Sequence, residues 1–105
     1  MELDINVLRK ICMPENIEIT MHAAKRLEQR GILIKDVINC IINGEIIEQY
    51  PTDYPYPSCL ILGISVSGKS LHVVVGSNQT LLWVVTAYYP DNNKWSEDLK
   101  VRKEN

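Results

Sequence analysis

The sequence predicts an α+β domain in which two or three N-terminal helices pack on a four-stranded, mainly antiparallel sheet. Two observations predict it. Apolar residues recur at helical spacing as far as Gly44 and at strand-like spacing beyond it. After the stretch PTDYPYPS, three apolar runs are separated by the turn pairs Ser67-Gly68 and Ser77-Asn78.

Each element has its own signal. Leu3, Val7, Leu8, Ile11 and Cys12 form a helical stripe, with Asp4 suited to its first turn and Pro14 stopping it. A short extended piece, Ile17-Glu18-Ile19, follows. Thr20 is a natural N-cap for a second helix that runs to about Arg30, where Gly31 fits the C′ position. In that helix Met21, Ala24 and Leu27 are spaced to face the core. Ile34, Val37, Ile38, Ile41 and Ile42 make the apolar face of a third helix, which ends at Gly44. Glu45 to Tyr50 is β-like, and the three prolines of the next loop exclude helix. The remaining strands are expected at about 59–66, 70–77 and 80–89. The last of them, LLWVVTAYY, is apolar on both faces and so belongs in the middle of the sheet. Residues 91–99 are expected to form a short helix anchored by Trp95, and 96–105 a loose tail.

Bulk properties narrow the functional classes. The 105 residues suit a single domain, and 46% hydrophobic with 23% charged residues is the balance of a folded chain. Cys12, Cys40 and Cys59 are an odd, widely spaced set, which argues against a disulfide framework or a zinc knuckle. No apolar run approaches the ~20 residues that span a bilayer. MELDINVLRK lacks a signal-peptide pattern, so a cytoplasmic location is expected. The net charge of −2 means that any nucleic-acid contact must come from a local basic patch.

Such a patch is visible on the second helix. His22, Arg26 and Arg30 recur at spacing four along one flank, bordered by Lys25 and Gln29. Two guanidiniums one turn apart can offer several N–H donors to a phosphate. His22 falls in the first turn, where the helix dipole disfavours a positive ring and so suits a general base. A polar flank is equally what any amphipathic surface helix presents. In LHVVVG, His72 points away from the face of Leu71 and Val73. Pairing about a turn near Gln79 would bring His72 close to Thr86 and Tyr88, which by alternation share a face with Leu82 and Val84. A histidine bonded to a neighbour for purely structural reasons is the other account of His72. Tyr50, Tyr54 and Tyr56 could stack bases, or simply pack a surface loop. No HExxH, Walker or Rossmann pattern is present, and Gly63, Gly68 and Gly76 are scattered turn and strand glycines.

Taken in order, ITMHAAKRLEQRGI, DVINCIINGEIIEQYP, PYPSCLILG, LHVVV and VVTAYYPDNNKW resemble a family of small prokaryotic domains of unassigned function, over roughly residues 17–95. That family is similar to the RelE, ParE and BrnT toxins and the wider barnase–EndoU–colicin–RelE group. The resemblance implies a RelE-like fold and metal-independent RNA cleavage by attack of a 2′-hydroxyl on the adjacent phosphate. It implies catalytic roles for His22, His72 and Tyr88. Phosphate or RNA contacts would fall to Lys25, Arg26, Arg30 and Thr86. The expected partners are RNA and a cognate antitoxin-like protein, with homodimerisation open and no membrane, cofactor or metal. Two departures stand out: the overall acidity, and Leu33 where Ser or Thr would complete a capping box with Asp36. The alternative is a non-catalytic protein-binding or regulatory module on the same scaffold.

Overall fold

The computed structural model describes residues 1–104. The chain forms α1 (Ile5–Ile11), a 3₁₀ turn (Pro14–Asn16), β1 (Ile17–Ile19), α2 (Met21–Gln29), α3 (Ile34–Asn43), β2 (Glu45–Tyr50), β3 (Ser58–Ile64), β4 (Ser70–Ser77) and β5 (Leu82–Tyr88). The sheet has five strands, not four, in the order β1-β5-β4-β3-β2. It is mixed because the short piece before α2 pairs in parallel with β5, Ile17 opposite Leu82 and Ile19 opposite Val84. Three residues give too little alternation to show in the sequence that this piece joins the ladder. The middle strand is β4, not β5; β5 is still an interior strand, between β1 and β4, with Leu82, Val84 and Ala87 buried on its core face and Val85 exposed.

The helix boundaries follow local chemistry. The Thr20 side chain accepts from Ala23 N–H at 3.1 Å, and Gly31 takes a positive φ of 68°. Asp4 is an N-cap, accepting from Asn6 N–H at 2.8 Å. The face of α2 turned inward is Ala23 and Leu27, not Met21 and Ala24; Met21 is 88% exposed. Both assignments fit a helical period, and the core takes the face that adjoins β5. In α3 the buried side chains are Asp36, Val37, Cys40 and Ile41, whereas Ile34 and Ile42 reach solvent. Arg9 ties α1 to α3, donating to the Ile41 carbonyl at 3.4 Å and the Gly44 carbonyl at 2.6 Å. Those are orphan acceptors at a helix C-terminus, where a cation is favoured.

The core lies between the helices and one sheet face, with Cys59, Ile61, Leu71, Val73, Val75, Leu82, Val84 and Ala87 turned inward. A bulge at Val85 breaks the alternation of β5: Val75 pairs with Val84, but Val74 pairs with Thr86. The extra residue turns Ala87 into the core and sends Thr86 and Tyr88 to the opposite, outer face. Strict alternation from Leu82 therefore fails beyond Val84, and Thr86 and Tyr88 do not share its face.

Residues 91–99 are a run of turns rather than a helix, with Trp95 bridged to Arg102. Asp91 at the start and Asp98 later accept from nearby backbone N–H groups, which competes with helix formation. Nor is 96–104 a loose tail; Asn105 lies outside the described residues. This segment crosses the outer sheet face and is held there by Trp95, which is buried, and by Arg102. Among the described residues no helix is long and apolar enough to cross a membrane.

Candidate functional site

The outer face of the sheet and the C-terminal segment enclose a cleft of about 720 Å³. Its polar lining includes Arg30, Tyr88, Asp91, Lys94, Arg102 and Lys103. Three elements supply them. Arg30 is the C-cap of α2 and reaches β5, where its Nη1 donates to the Thr86 hydroxyl at 3.1 Å and the Ala87 carbonyl at 2.9 Å. These bonds fix the guanidinium against the strand, and its other nitrogens donate to no protein group among the described residues. Tyr88 arrives through the bulge in β5. Lys94, Arg102 and Lys103 come from the C-terminal segment.

Arg102 is a clamp as well as a lining residue. Its Nε and Nη2 hold the Glu48 carboxylate at 3.0 and 3.1 Å, and its guanidinium lies 4.7 Å from the centre of the Trp95 ring. Burial pushes the Glu48 carboxyl up, but Arg102 and the Tyr50 hydroxyl outweigh it and hold it below the usual range. The Arg102 charge is thus spent on Glu48. Arg30, Lys94 and Lys103 form no ion pair among the described residues, and they leave the cleft cationic.

His72 lies directly behind this cleft and does not open into it. It is fully buried on the outer face, opposite Tyr88, with Trp95 packed edge-on at 4.5 Å. Its Nε2 is 2.9 Å from the Leu99 carbonyl and its Nδ1 is 3.3 Å from the Tyr88 hydroxyl. A carbonyl only accepts, so Nε2 carries the hydrogen, and Nδ1 accepts from Tyr88. Burial pulls its pKa below the ordinary histidine value, against the pull of Leu99 and Glu48, and Arg102 adds to the lowering. The same cause pushes the Tyr88 hydroxyl up.

The expected residues therefore divide. Arg30, Thr86, Tyr88 and His72 are brought together on one side of β5. His22, Lys25 and Arg26 line a separate shallow depression of about 410 Å³ along α2, which also touches Arg30. His22 stands eight residues from Arg30, about 12 Å along the helix axis. The two histidines do not converge: one is solvent-exposed at the start of α2, the other sealed under the C-terminal segment. Arg102 and Lys103 are missed in the sequence because a loose tail is expected there, and Lys94 because it falls on the short helix expected over 91–99, with no partner assigned. The one available signal was a lone tryptophan, Trp95, in an otherwise polar stretch that also carries Arg102-Lys103.

The thiols offer no nucleophile. Cys12, Cys40 and Cys59 are all free and buried, and burial pushes them up to about 11, about 12 and about 12.

Residues 19–89 match the family described as Domain of unknown function (DUF4258), and the chain belongs to that family. The match takes in α2, α3 and β2 to β5, with only the last residue of β1, and stops short of the segment that contributes Lys94, Trp95 and Arg102. Neither a curated protein nor a solved structure matches the chain.

Proposed function

We propose that this chain is a toxin-like, RNA-directed domain that holds a phosphodiester in the Arg30–Tyr88 cleft and cleaves it without metal. The observation that carries this is the set of three cations without an ion pair among the described residues, Arg30, Lys94 and Lys103, lining a cleft with a tyrosine hydroxyl that is itself bonded to a buried histidine. The resemblance to RelE- and BrnT-type toxins supports it, and the five-stranded sheet is read as a variant of their scaffold. The exposed α2 flank, His22, Lys25 and Arg26, extends the cationic track and would steer the RNA backbone.

The chemistry differs from a two-histidine scheme. Tyr88 would take the proton of the 2′-hydroxyl while passing its own to Nδ1 of His72. The 2′-oxygen attacks phosphorus, the bond to the 5′-oxygen breaks, and a 2′,3′-cyclic phosphate forms. A Lys94 or Lys103 ammonium would protonate the departing 5′-oxygen. Arg30, already oriented by Thr86 and Ala87, would stabilise charge gathering on the phosphoryl oxygens. His22 has no place in these proton transfers.

The test is cleavage of a single-stranded RNA in EDTA by the wild type and by Arg30→Ala, Tyr88→Phe and His22→Ala. Losing the Arg30 donors should slow cleavage roughly 10²- to 10³-fold, the scale of one transition-state donor. His22→Ala should weaken RNA binding only modestly. A wild type that cuts no RNA sinks the nuclease assignment. A binding module without catalysis is the second candidate, favoured by one observation: both ring nitrogens of His72 are already bonded, and no other imidazole lines the cleft. RNA retention without cleavage would select it.

A further inference from the structure

We infer that the tyrosine–proline loop and Trp83 form a second subsite on the sheet, shaped for a guanine base of the same RNA strand. It rests on the assignment of the cleft to RNA. The loop is pinned to the outer face by Tyr56, whose ring lies on Trp83 with centroids 4.5 Å apart and planes 18° from parallel. Beside that stack, Asp53, Tyr54, Pro55 and Val85 complete a pocket of about 220 Å³. Tyr54 is 95% exposed and Val85 is 53% exposed. An aromatic ring held out in solvent by a proline-rich loop is an open stacking partner, and bases stack on such rings with little cost in order.

The polar edge of the pocket sets the choice of base. Ser58 donates its hydroxyl to Oδ2 of Asp53, and Oδ1 has no protein partner among the described residues. An ionised carboxylate only accepts. Guanine offers two adjacent donors, N1–H and the N2 amino group, on its pairing edge. Adenine, cytosine and uracil each mix donor with acceptor there, so they leave a lone pair facing the carboxylate.

Position links the pocket to the cleft. Trp83 and Tyr88 both stand on the outer face of β5, five residues apart across the bulge, or roughly 15 Å at strand spacing. Exposed Val85 and partly buried Thr86 lie between them, and the Thr86 hydroxyl is bonded to Arg30, so the way along the strand from the pocket leads to that guanidinium. A single strand laid along β5 would put a phosphate at Arg30 and a base on Trp83.

The experiment uses guanosine, adenosine and N-acetylarginine amide, none of which carries a phosphate, so the cationic cleft contributes nothing. Binding to the full chain is followed by amide and indole NMR shifts. Guanosine should shift Asp53, Tyr54 and the Trp83 indole, and should bind about tenfold more tightly than adenosine. Tyr54→Ala, at a position too exposed to affect folding, and Asp53→Asn should each cost guanosine about tenfold. Equal binding of the two nucleosides, an inert Tyr54→Ala, or equal binding of N-acetylarginine amide would overturn the subsite. If guanosine binds as stated but RNA is neither held nor cut, the proposed function fails and the subsite stands. If RNA is cut while guanosine leaves the pocket unmoved, the reverse holds.

Discussion

The His72 ring and the Tyr88 hydroxyl face each other across β4 and β5, with Nδ1 3.3 Å from the oxygen. On its far side the same ring donates to the Leu99 carbonyl at 2.9 Å. One neutral imidazole thus joins the sheet, the cleft and the C-terminal segment. The contact with Tyr88 requires the neutral form, because a protonated Nδ1 could no longer accept from its hydroxyl, whereas the Nε2–H bond to Leu99 survives protonation. Glu48 and Arg102 are the nearest charges, and they largely cancel through their own pairing.

Acid should therefore loosen the C-terminal segment. The folded pKa of His72 is lowered relative to the unfolded chain. Its contribution to stability is complete above the ordinary histidine value and is lost as pH falls below about 6.5. The unfolded chain binds the extra proton in that window, so stability rises with pH there, by at most ~1.4 kcal/mol per pH unit for one group. Urea midpoints measured between pH 7.5 and 5.5 should fall for the wild type. His72→Gln should be less stable at pH 7.5 yet flatter across that range. An unchanged slope would show that His72 titrates normally in the fold.

Glu48 and Arg102 should be coupled. The pair is bidentate, but Arg102 is largely exposed, with side-chain exposure of 61% against 24% for Glu48. Solvent screening limits such a pair to about 1 kcal/mol. A double-mutant cycle with Glu48→Gln and Arg102→Gln should return a coupling of ~0.5–1 kcal/mol. Hydrogen exchange should quicken in residues 96–103 in either single variant and not in α3. Additive effects with no change in exchange would mean that Trp95 alone holds the segment.

Gly63 should tolerate no side chain. A Cβ there would sit 2.4 Å from the Cys40 carbonyl oxygen and 2.8 Å from its Sγ. The backbone of α3 and β3 touches at this position, so neither side can give. Gly63→Ala should cost ~1–3 kcal/mol in a urea titration, the range for overpacked cores. At Gly68, with a φ of +86° and open space around it, alanine should cost only the left-handed backbone strain of ~1 kcal/mol. Equal losses at the two glycines would contradict the close approach.

Much of the fold was legible because it is local. Thr20 and Gly31 fix the ends of α2, Gly44 ends α3, and Ser67-Gly68 and Ser77-Asn78 mark two hairpins; each acts through its own backbone. The parallel pairing of Ile17–Ile19 was not legible, because three residues carry no period and their partner is over sixty positions away. The Val85 bulge was not legible either, and it decides which face carries Thr86 and Tyr88. At the site, Arg30 was identifiable from its spacing, but its anchor on Thr86 is a tertiary contact. His72 could be placed on the correct face, yet its burial depends on Trp95 and Leu99, in a segment whose polar composition resembles a free tail. Lys94 and Lys103 join the cleft only because that segment folds back.

Leu33 offers a gain rather than a loss. It is the N-cap residue of α3, with extended φ and ψ of −98° and 159°, and its side chain is 55% exposed. Half of a capping box is already in place: Oδ2 of Asp36 accepts from Leu33 N–H at 3.0 Å, while Oδ1 accepts from Val66 N–H at 2.9 Å. The missing half is a side-chain oxygen at position 33 to share the N–H of Asp36, which now donates to the Leu33 carbonyl at 2.9 Å. Leu33→Ser should supply it and stabilise the protein by ~1 kcal/mol, a rise in Tm of about 4–8 °C for a domain of this size. Asp36→Ala should lower stability by ~2 kcal/mol, since it leaves two backbone donors without a partner. In the double variant Leu33→Ser should still help, because its own bond goes to backbone rather than to the Asp36 carboxylate. A serine that is neutral in both backgrounds would show that the lost apolar contacts of Leu33 offset the new cap.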